Sequence, residues 1–300
     1  MKIGQTETAT LRLLDAASNR AREAFRVIED YLRFVLDDSF LTEQCKALRH
    51  DLTTALVAIP AEARLMARDT QADVGTQLTN ANEASREDRE AVLAAGFGRL
   101  QEALRSLEEY GKLVDPRFGE QIKQLRYRSY TLQRATTSTR RGTQYLDTSH
   151  LYILLDGKAT LSEFRQLAES LVAAGADILQ LRDKHSTDRE LLGRARILRE
   201  ITAGSEALFI MNDRPDLAAL SRADGVHVGQ DELCVKDVRQ IVGPKMLVGV
   251  STHSVEQARQ AVLDGADYIG VGPVFASGTK EFPHFPGTAL LRDVSAEIRL

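Results

Sequence analysis

The chain has 300 residues, 43% of them hydrophobic and 27% charged, enough to bury one large core or two ordinary ones. A formal net charge of −4 gives no whole-chain attraction to nucleic acid, and two distant cysteines, Cys45 and Cys234, exclude a disulfide framework and fit a reducing cytosol. The N-terminus MKIGQTETAT lacks the apolar stretch of a signal peptide and no run approaches about 18 apolar residues, so a cytoplasmic protein without a membrane span is expected.

Residues 1–135 read as an all-α domain. Leu13, Leu14, Ala17, Ala21, Ala24, Phe25, Ile28, Leu32 and Val35 recur at spacings of three and four within 11–36, an amphipathic helix. A second stripe, Leu41, Cys45, Leu48, Leu52 and Leu56, predicts a helix over 41–58. After a Gly- and Asp-bearing break at 67–76, further helices are expected near 84–114 and 117–133. Self-comparison aligns EAFRVIEDYLRFV (23–35) with EALRSLEEYGKLV (102–114), and CKALRHDL (45–52) with IKQLRYRS (122–129), so a duplicated helical hairpin is expected. Arg26 precedes Glu29, and Arg105 precedes Glu108, at a spacing that allows helix-surface ion pairs. A functional reading would instead gather Arg22, Arg26, Arg49, His50, Arg68 and Asp73 into a phosphate site.

Residues 136–149, rich in Thr, Ser and Arg, read as a linker. From 150 onward, apolar runs at 151–156, 177–183, 207–213, 225–229, 246–251 and 268–275 alternate with helical stretches near 161–174, 188–202, 216–222, 235–241, 254–263 and 287–299. Continuous apolar strands separated by helices imply a parallel sheet covered on both faces. Six such units make either an open doubly wound sheet or part of an eight-stranded barrel, and spacing alone does not choose. No GxGxxG follows the first strand, so a dinucleotide site lacks its fingerprint.

Polar residues collect where these strands end, the edge at which α/β proteins bind ligands. In Gln180-Leu181-Arg182-Asp183-Lys184 the alternation of a strand points Gln180, Arg182 and Lys184 one way, two cations and an amide suited to an anionic substrate. Asn212 and Asp213 end the third strand, Asp231 and Glu232 follow the fourth, and Ser251 ends the fifth. Two converging carboxylates suit Mg²⁺, which shares its other positions with water and phosphates; helix capping is the competing role for each Asp. Ser277, Gly278, Thr279 and Lys280 make a phosphate cradle or an ordinary polar turn. His227 and His253 read as hydrogen-bonded structural histidines, since no second His or Cys sits at zinc spacing.

QLRDK (180–184), NDRPDLA (212–218), ADGVHVGQDE (223–232), GVSTH (249–253), ADYIGVGPVF (266–275) and SGTK (277–280) resemble the thiamine-phosphate synthase family, in its order and spacing, over almost all of 150–300. The resemblance implies a TIM barrel, of which about six of eight βα units are present, that joins a hydroxymethylpyrimidine diphosphate to a thiazole phosphate and releases pyrophosphate. It implies that Gln180, Leu181, Arg182, Asp183, Lys184, Asn212, Ser251 and Lys280 hold the pyrimidine diphosphate, and that Ser277, Gly278 and Thr279 contact the thiazole phosphate. Arg182, Ser251 and Lys280 form the implied catalytic set, and Asp213 and Glu232 the implied Mg²⁺ ligands, with Asp231 as the alternative second ligand. Small-molecule substrates are thus the implied partners, without nucleic acid or membrane; a homo-oligomer is compatible with the sequence.

Three departures stand out: Glu at 232 where the family has Asp, Ser at 277 where it has Thr, and a chain that stops at Leu300 before two further family units. The last predicts that this chain alone is weakly active or inactive. A thiazole tautomerase or a non-catalytic binding protein on the same barrel are the alternatives. Through REAFRVIEDYLRF, LRHDL, RDTQADVGT and LQEALRSLEEY, the helical half resembles a domain fused to some members of this family, with hydroxymethylpyrimidine-phosphate kinase activity as the implied function.

Overall fold

A computed structural model describes residues 5–71, 73, 85–275, 285 and 287–300. Within it the chain forms two compact units, 1–136 and 137–300.

The first unit is helical: α1 (Gln5–Phe34), α2 (Ser39–Ala55), α3 (Ala61–Ala67), α4 (Arg89–Gly111) and the start of α5 (Pro116–Leu146). Asp38 begins α2 and Asp88 begins α4, each accepting a hydrogen bond from a first-turn amide. The apolar stripes meet as expected. Leu14, Ala21, Phe25, Ile28 and Leu32 of α1 are buried with Phe97, Leu100, Leu104 and Leu107 of α4 and with Leu41, Cys45, Leu48 and Leu52 of α2. Leu13 and Val35, expected in the same stripe, are exposed at its edge.

The duplication is visible in the buried charges. Glu29 accepts ion pairs from Arg26, Arg33 and Arg49 at 3.7, 3.9 and 3.2 Å. Glu108 does the same with Arg105, Lys112 and Arg126 at 3.0, 3.8 and 2.9 Å. In each copy the cations stand three before, four after and one helix beyond the glutamate.

The segment expected as a linker differs: α5 continues through it to Leu146. Its small and basic residues serve packing rather than flexibility. A Cβ on Gly142 would overlap the backbone carbonyl of Asp267, and Arg141 pairs with the Asp267 carboxylate at 2.5 Å.

In the second unit, β1 (Tyr152–Leu155), β2 (Ile178–Leu181), β3 (Leu208–Asn212), β4 (Gly225–Val228), β5 (Leu247–Thr252) and β6 (Tyr268–Val271) alternate with α6 (Leu161–Ala173), α7 (Asp188–Thr202), α8 (Pro215–Ser221), α9 (Val235–Val242) and α10 (Val255–Asp264); α11 (Gly287–Glu297) follows. The strands pair in parallel and in chain order. Thr160 with Glu163, and Thr187 with Glu190, form reciprocal capping boxes that start α6 and α7.

Register separates the two faces. Leu155, Leu179, Leu181, Phe209, Met211, Val226, Val228, Val248 and Val250 pack with residues of α6 to α10 in one apolar core. The alternate positions carry Tyr152, Gln180, Asn212, His227, Ser251 and Tyr268, with Gly225, Gly249 and Gly270 among them. Six strands laid flat would hold β1 and β6 about 24 Å apart at the usual spacing. The hydroxyls of Tyr152 and Tyr268 are nevertheless 3.1 Å apart, which two tyrosine side chains can achieve only on a curled sheet. The polar face is the concave one.

The opposite, N-terminal rim is built by a repeated device. Asp177 accepts from the amides of His150 and Leu151, Asp224 from Phe209 and Asp267 from Val248. Each aspartate thereby ties the start of its own strand to the preceding one.

Candidate active site

The site begins with Gln180, 3% exposed on the concave face, whose amide donates to the Tyr152 hydroxyl at 2.7 Å. Tyr152 meets Tyr268, and the Tyr268 hydroxyl lies 3.2 Å from His227 Nδ1. His227 Nε2 lies 2.9 Å from Ser251 Oγ. One hydrogen-bonded chain therefore runs from β2 through β1, β6 and β4 to β5. Burial drives each titratable member toward neutrality: the Tyr152 phenol is pushed up to about 12, Tyr268 well above its ordinary range, and His227 down to about 4. The chain is an uncharged floor that fixes Gln180 and Ser251. Glycine makes it fit, since a Cβ on Gly249 would overlap the Tyr268 ring.

Above this floor lie the strand ends. Asp213 has a left-handed backbone, φ 58°, and its amide donates to the His227 carbonyl at 2.8 Å. Simple alternation would turn its side chain toward the helices; the left-handed turn, which Asp tolerates, brings it within 3.8 Å of Lys184 Nζ. Burial, and next the neighbouring Glu232 carboxylate, raise the Asp213 carboxyl above its ordinary range, against Lys184, Asn212 and Arg182. Glu232 rather than Asp231 exerts this effect. It folds back over Gly229, where a Cβ would overlap its carboxylate.

Seven expected residues are thus gathered on the concave side or its rim: Gln180, Arg182, Lys184, Asn212, Asp213, Glu232 and Ser251. Two others are placed elsewhere. Leu181 is fully buried in the apolar core against the helices, so its side chain faces away from any ligand on the concave face. Asp183 accepts from Ser186 Oγ and from the amides of His185 and Ser186; burial pushes its carboxyl up, but these bonds outweigh it and hold it below the ordinary range. Asp183 shapes the loop after β2. Ser277, Gly278, Thr279 and Lys280, with His284, lie outside the described residues.

Sequence reasoning did not single out Tyr152 and Tyr268; counting alternate positions from Gln180 across the paired strands would have reached both. His227 and His253 are hydrogen-bonded, as expected, the second through Nδ1 to the Gly272 carbonyl at 2.6 Å. Among the described residues no three His, Cys, Asp or Glu side chains gather as a metal cage. A half-buried Asp213 carboxylate with the Glu232 carboxylate beside it fits a hard cation that keeps water and substrate oxygens in its remaining positions.

Family models match both units of the chain. A family described as thiamine monophosphate synthase matches residues 151–300, and the ThiD2 family matches 12–135. A thiamine-phosphate synthase of Rhodopirellula baltica is 44% identical over 95% of this chain and 77% of its own length. One from a Synechocystis species is 45% identical over 91% of this chain and 77% of its own. A solved thiamine phosphate pyrophosphorylase from Pyrococcus furiosus shares 30% identity, with 49% of this chain and 70% of that one covered and a TM-score of 0.43.

Proposed function

The chain belongs to the thiamine-phosphate synthase family, and from that premise we propose that the rim of its concave sheet is the synthase active site, joining a pyrimidine diphosphate to a thiazole phosphate with release of pyrophosphate. The observation that carries this is the Asp213–Glu232 carboxylate pair held beside Lys184 and Arg182 at one strand edge. In this reading the six strands are six parts of an eight-stranded barrel, and Asp213 and Glu232 hold Mg²⁺. Bound there, the ion neutralises charge that develops on the departing diphosphate.

The chain's own residues then divide the work. Lys184 and Arg182 attract the diphosphate oxygens and stabilise them more as the C–O bond breaks and negative charge accumulates. Gln180, Asn212 and Ser251 offer donors and acceptors for a polar ring, and their rigid hydrogen-bonded floor holds it in one orientation. The carbon left by the diphosphate is electron-poor, and the ring nitrogen of the thiazole supplies the electron pair of the new C–N bond. Because the floor is neutral, it offers that carbon no competing anionic nucleophile. The helical unit, in the same reading, phosphorylates a hydroxymethylpyrimidine phosphate to make the diphosphate that the sheet consumes.

Mixing the protein with pyrimidine diphosphate, thiazole phosphate and Mg²⁺ tests the central claim. Pyrophosphate release with formation of thiamine phosphate, at any rate above the uncatalysed one, is the outcome this reading requires, and a low rate meets the expectation drawn from the sequence; a tautomerase or a binding protein on this sheet would release none. Asp213→Ala is expected to lower the release by at least about a hundredfold, and unchanged activity would remove Asp213 from the metal site.

A further inference from the structure

The helical unit carries a second cluster of cations, and this one is only partly neutralised. Arg64 on α3 is 6% exposed, yet among the described residues its only hydrogen bond runs from Nη1 to the Ser18 hydroxyl at 3.2 Å. Its Nε is buried without a partner, and among the described residues Arg64 makes no ion pair. Arg68 stands beside it and donates to both oxygens of Asp15, at 2.7 and 3.0 Å. Burial first, then Arg22, and to a smaller degree Arg68, disfavour the charge on Arg64, while Asp15 favours it. Three guanidinium groups thus share one carboxylate, which Arg68 already engages as a fork.

A buried cation that shares its one nearby carboxylate with two other guanidinium groups is expensive, and folding retains one only where something else offsets it. The duplication shows that the hairpin itself does not need the cluster. Aligning Glu29 with Glu108 sets Asp15, Ser18 and Arg22 opposite Ala94, Phe97 and Gln101, and the second copy folds with those neutral residues. Two arginines that the sequence offered for such a site, Arg26 and Arg49, belong instead to Glu29.

We propose that Arg22, Arg64 and Arg68, with the Ser18 hydroxyl, form a binding site for the phosphoryl group of a small molecule. A tetrahedral oxyanion presents several acceptors at once, so it can take the orphaned Arg64 Nε–H and a second guanidinium fork together. Asp15 holds Arg68 in place and keeps the empty cluster from repelling itself apart. The site is distinct from the sheet rim and does not depend on the helical unit being a kinase.

Titration calorimetry of the full chain, with inorganic phosphate in one arm and pyrophosphate in another, tests this. Arg22→Gln places in the first copy the residue that the second copy carries at Gln101, so the fold is preserved; Arg64→Met removes the buried charge. Both variants are expected to weaken one phosphate-binding event by about tenfold or more, the scale of a lost charge-assisted hydrogen bond, while synthase turnover at the sheet stays as in the parent chain. Tighter binding in one arm tells whether the site takes a monophosphate or a diphosphate. Phosphate binding unaltered by Arg22→Gln, or no phosphate binding that either variant removes, overturns the proposal. Lost synthase turnover with intact phosphate binding would count against it as well, by placing these arginines in the service of the sheet.

Discussion

The Tyr268 hydroxyl lies 3.1 Å from that of Tyr152, so residues on the two edge strands of a six-stranded sheet touch across its concave side. This contact anchors the floor beneath the proposed active site, because Tyr268 also meets His227, and His227 meets Ser251. The ring can lie there only over a glycine. A methyl group on Gly249 would overlap it, and the ring cannot swing aside without stranding two buried partners. Gly249→Ala is therefore expected to destabilise by about 2–4 kcal/mol, and Tyr268→Phe, which keeps the ring but removes the hydroxyl, by about 1–3 kcal/mol. Denaturant midpoints measure both; a Gly249→Ala protein as stable as its parent would show that the ring is not locked.

His227 makes the stability of the second unit depend on pH. Burial lowers its pKa from 6.5 to about 4, so the unfolded chain takes up the proton first as the solution is acidified. The contribution is fully present above pH 6.5 and is lost progressively between 6.5 and 4. Its full size is about 3 kcal/mol, from the free energy equivalent of the difference. Replacing His227 by Gln removes the titration, so the variant should lose less stability than the parent over that interval. Parallel stability–pH curves for the two proteins would refute the role of His227.

Much of this arrangement was legible in the sequence, and the failures have physical causes. The helices and strands of the second unit follow from apolar runs bounded by caps such as Thr160–Glu163 and Thr187–Glu190, which are local signals. The alternation through Gln180 and Arg182 is local too. Tyr152 and Tyr268 were missed because their proximity depends on inter-strand register and on curling, which no single segment encodes. Leu181 shares a motif with Gln180 and Arg182 yet faces the helices, since neighbours in a strand point to opposite sides. Asp213 breaks the same rule through its left-handed backbone. The stretch 136–149 reads as a linker from its composition, whereas the partners that make it helical, Asp267 for Arg141 and Gly142, lie more than a hundred residues away.

Arg222 offers a stabilising substitution. The helices before β2 and β6 end at left-handed glycines, Gly175 with φ 91° and Gly265 with φ 87°, but the one before β4 ends at Arg222 with φ 57°. A side chain in that conformation costs about 1–2 kcal/mol, partly offset by the greater freedom that glycine gives the unfolded chain. Arg222→Gly should raise stability by about 0.5–1 kcal/mol, read as a higher melting temperature. No increase, or a decrease, would mean that the Arg222 side chain makes a compensating contact.

The paired glutamates of the helical unit predict an asymmetry between its two copies. Both are buried, Glu29 at 2% and Glu108 at 3% exposure, and each faces three cations. Their bonding differs. Glu108 accepts well-aligned hydrogen bonds from Arg105 at 3.0 Å and from Arg126 at 2.9 Å. The Glu29 oxygen nearest Arg49 has no aligned donor, although the two atoms are 3.2 Å apart. Neutralising either glutamate leaves guanidinium groups without their counter-charge, but only Glu108→Gln also weakens two charge-assisted bonds. Glu108→Gln should cost about 2–3 kcal/mol and Glu29→Gln about 1 kcal/mol, values kept low because most of the surrounding cations reach solvent. Unfolding of the two variants side by side decides the point. Equal losses would mean that burial of the carboxylate, rather than alignment of its donors, sets the stability of each copy.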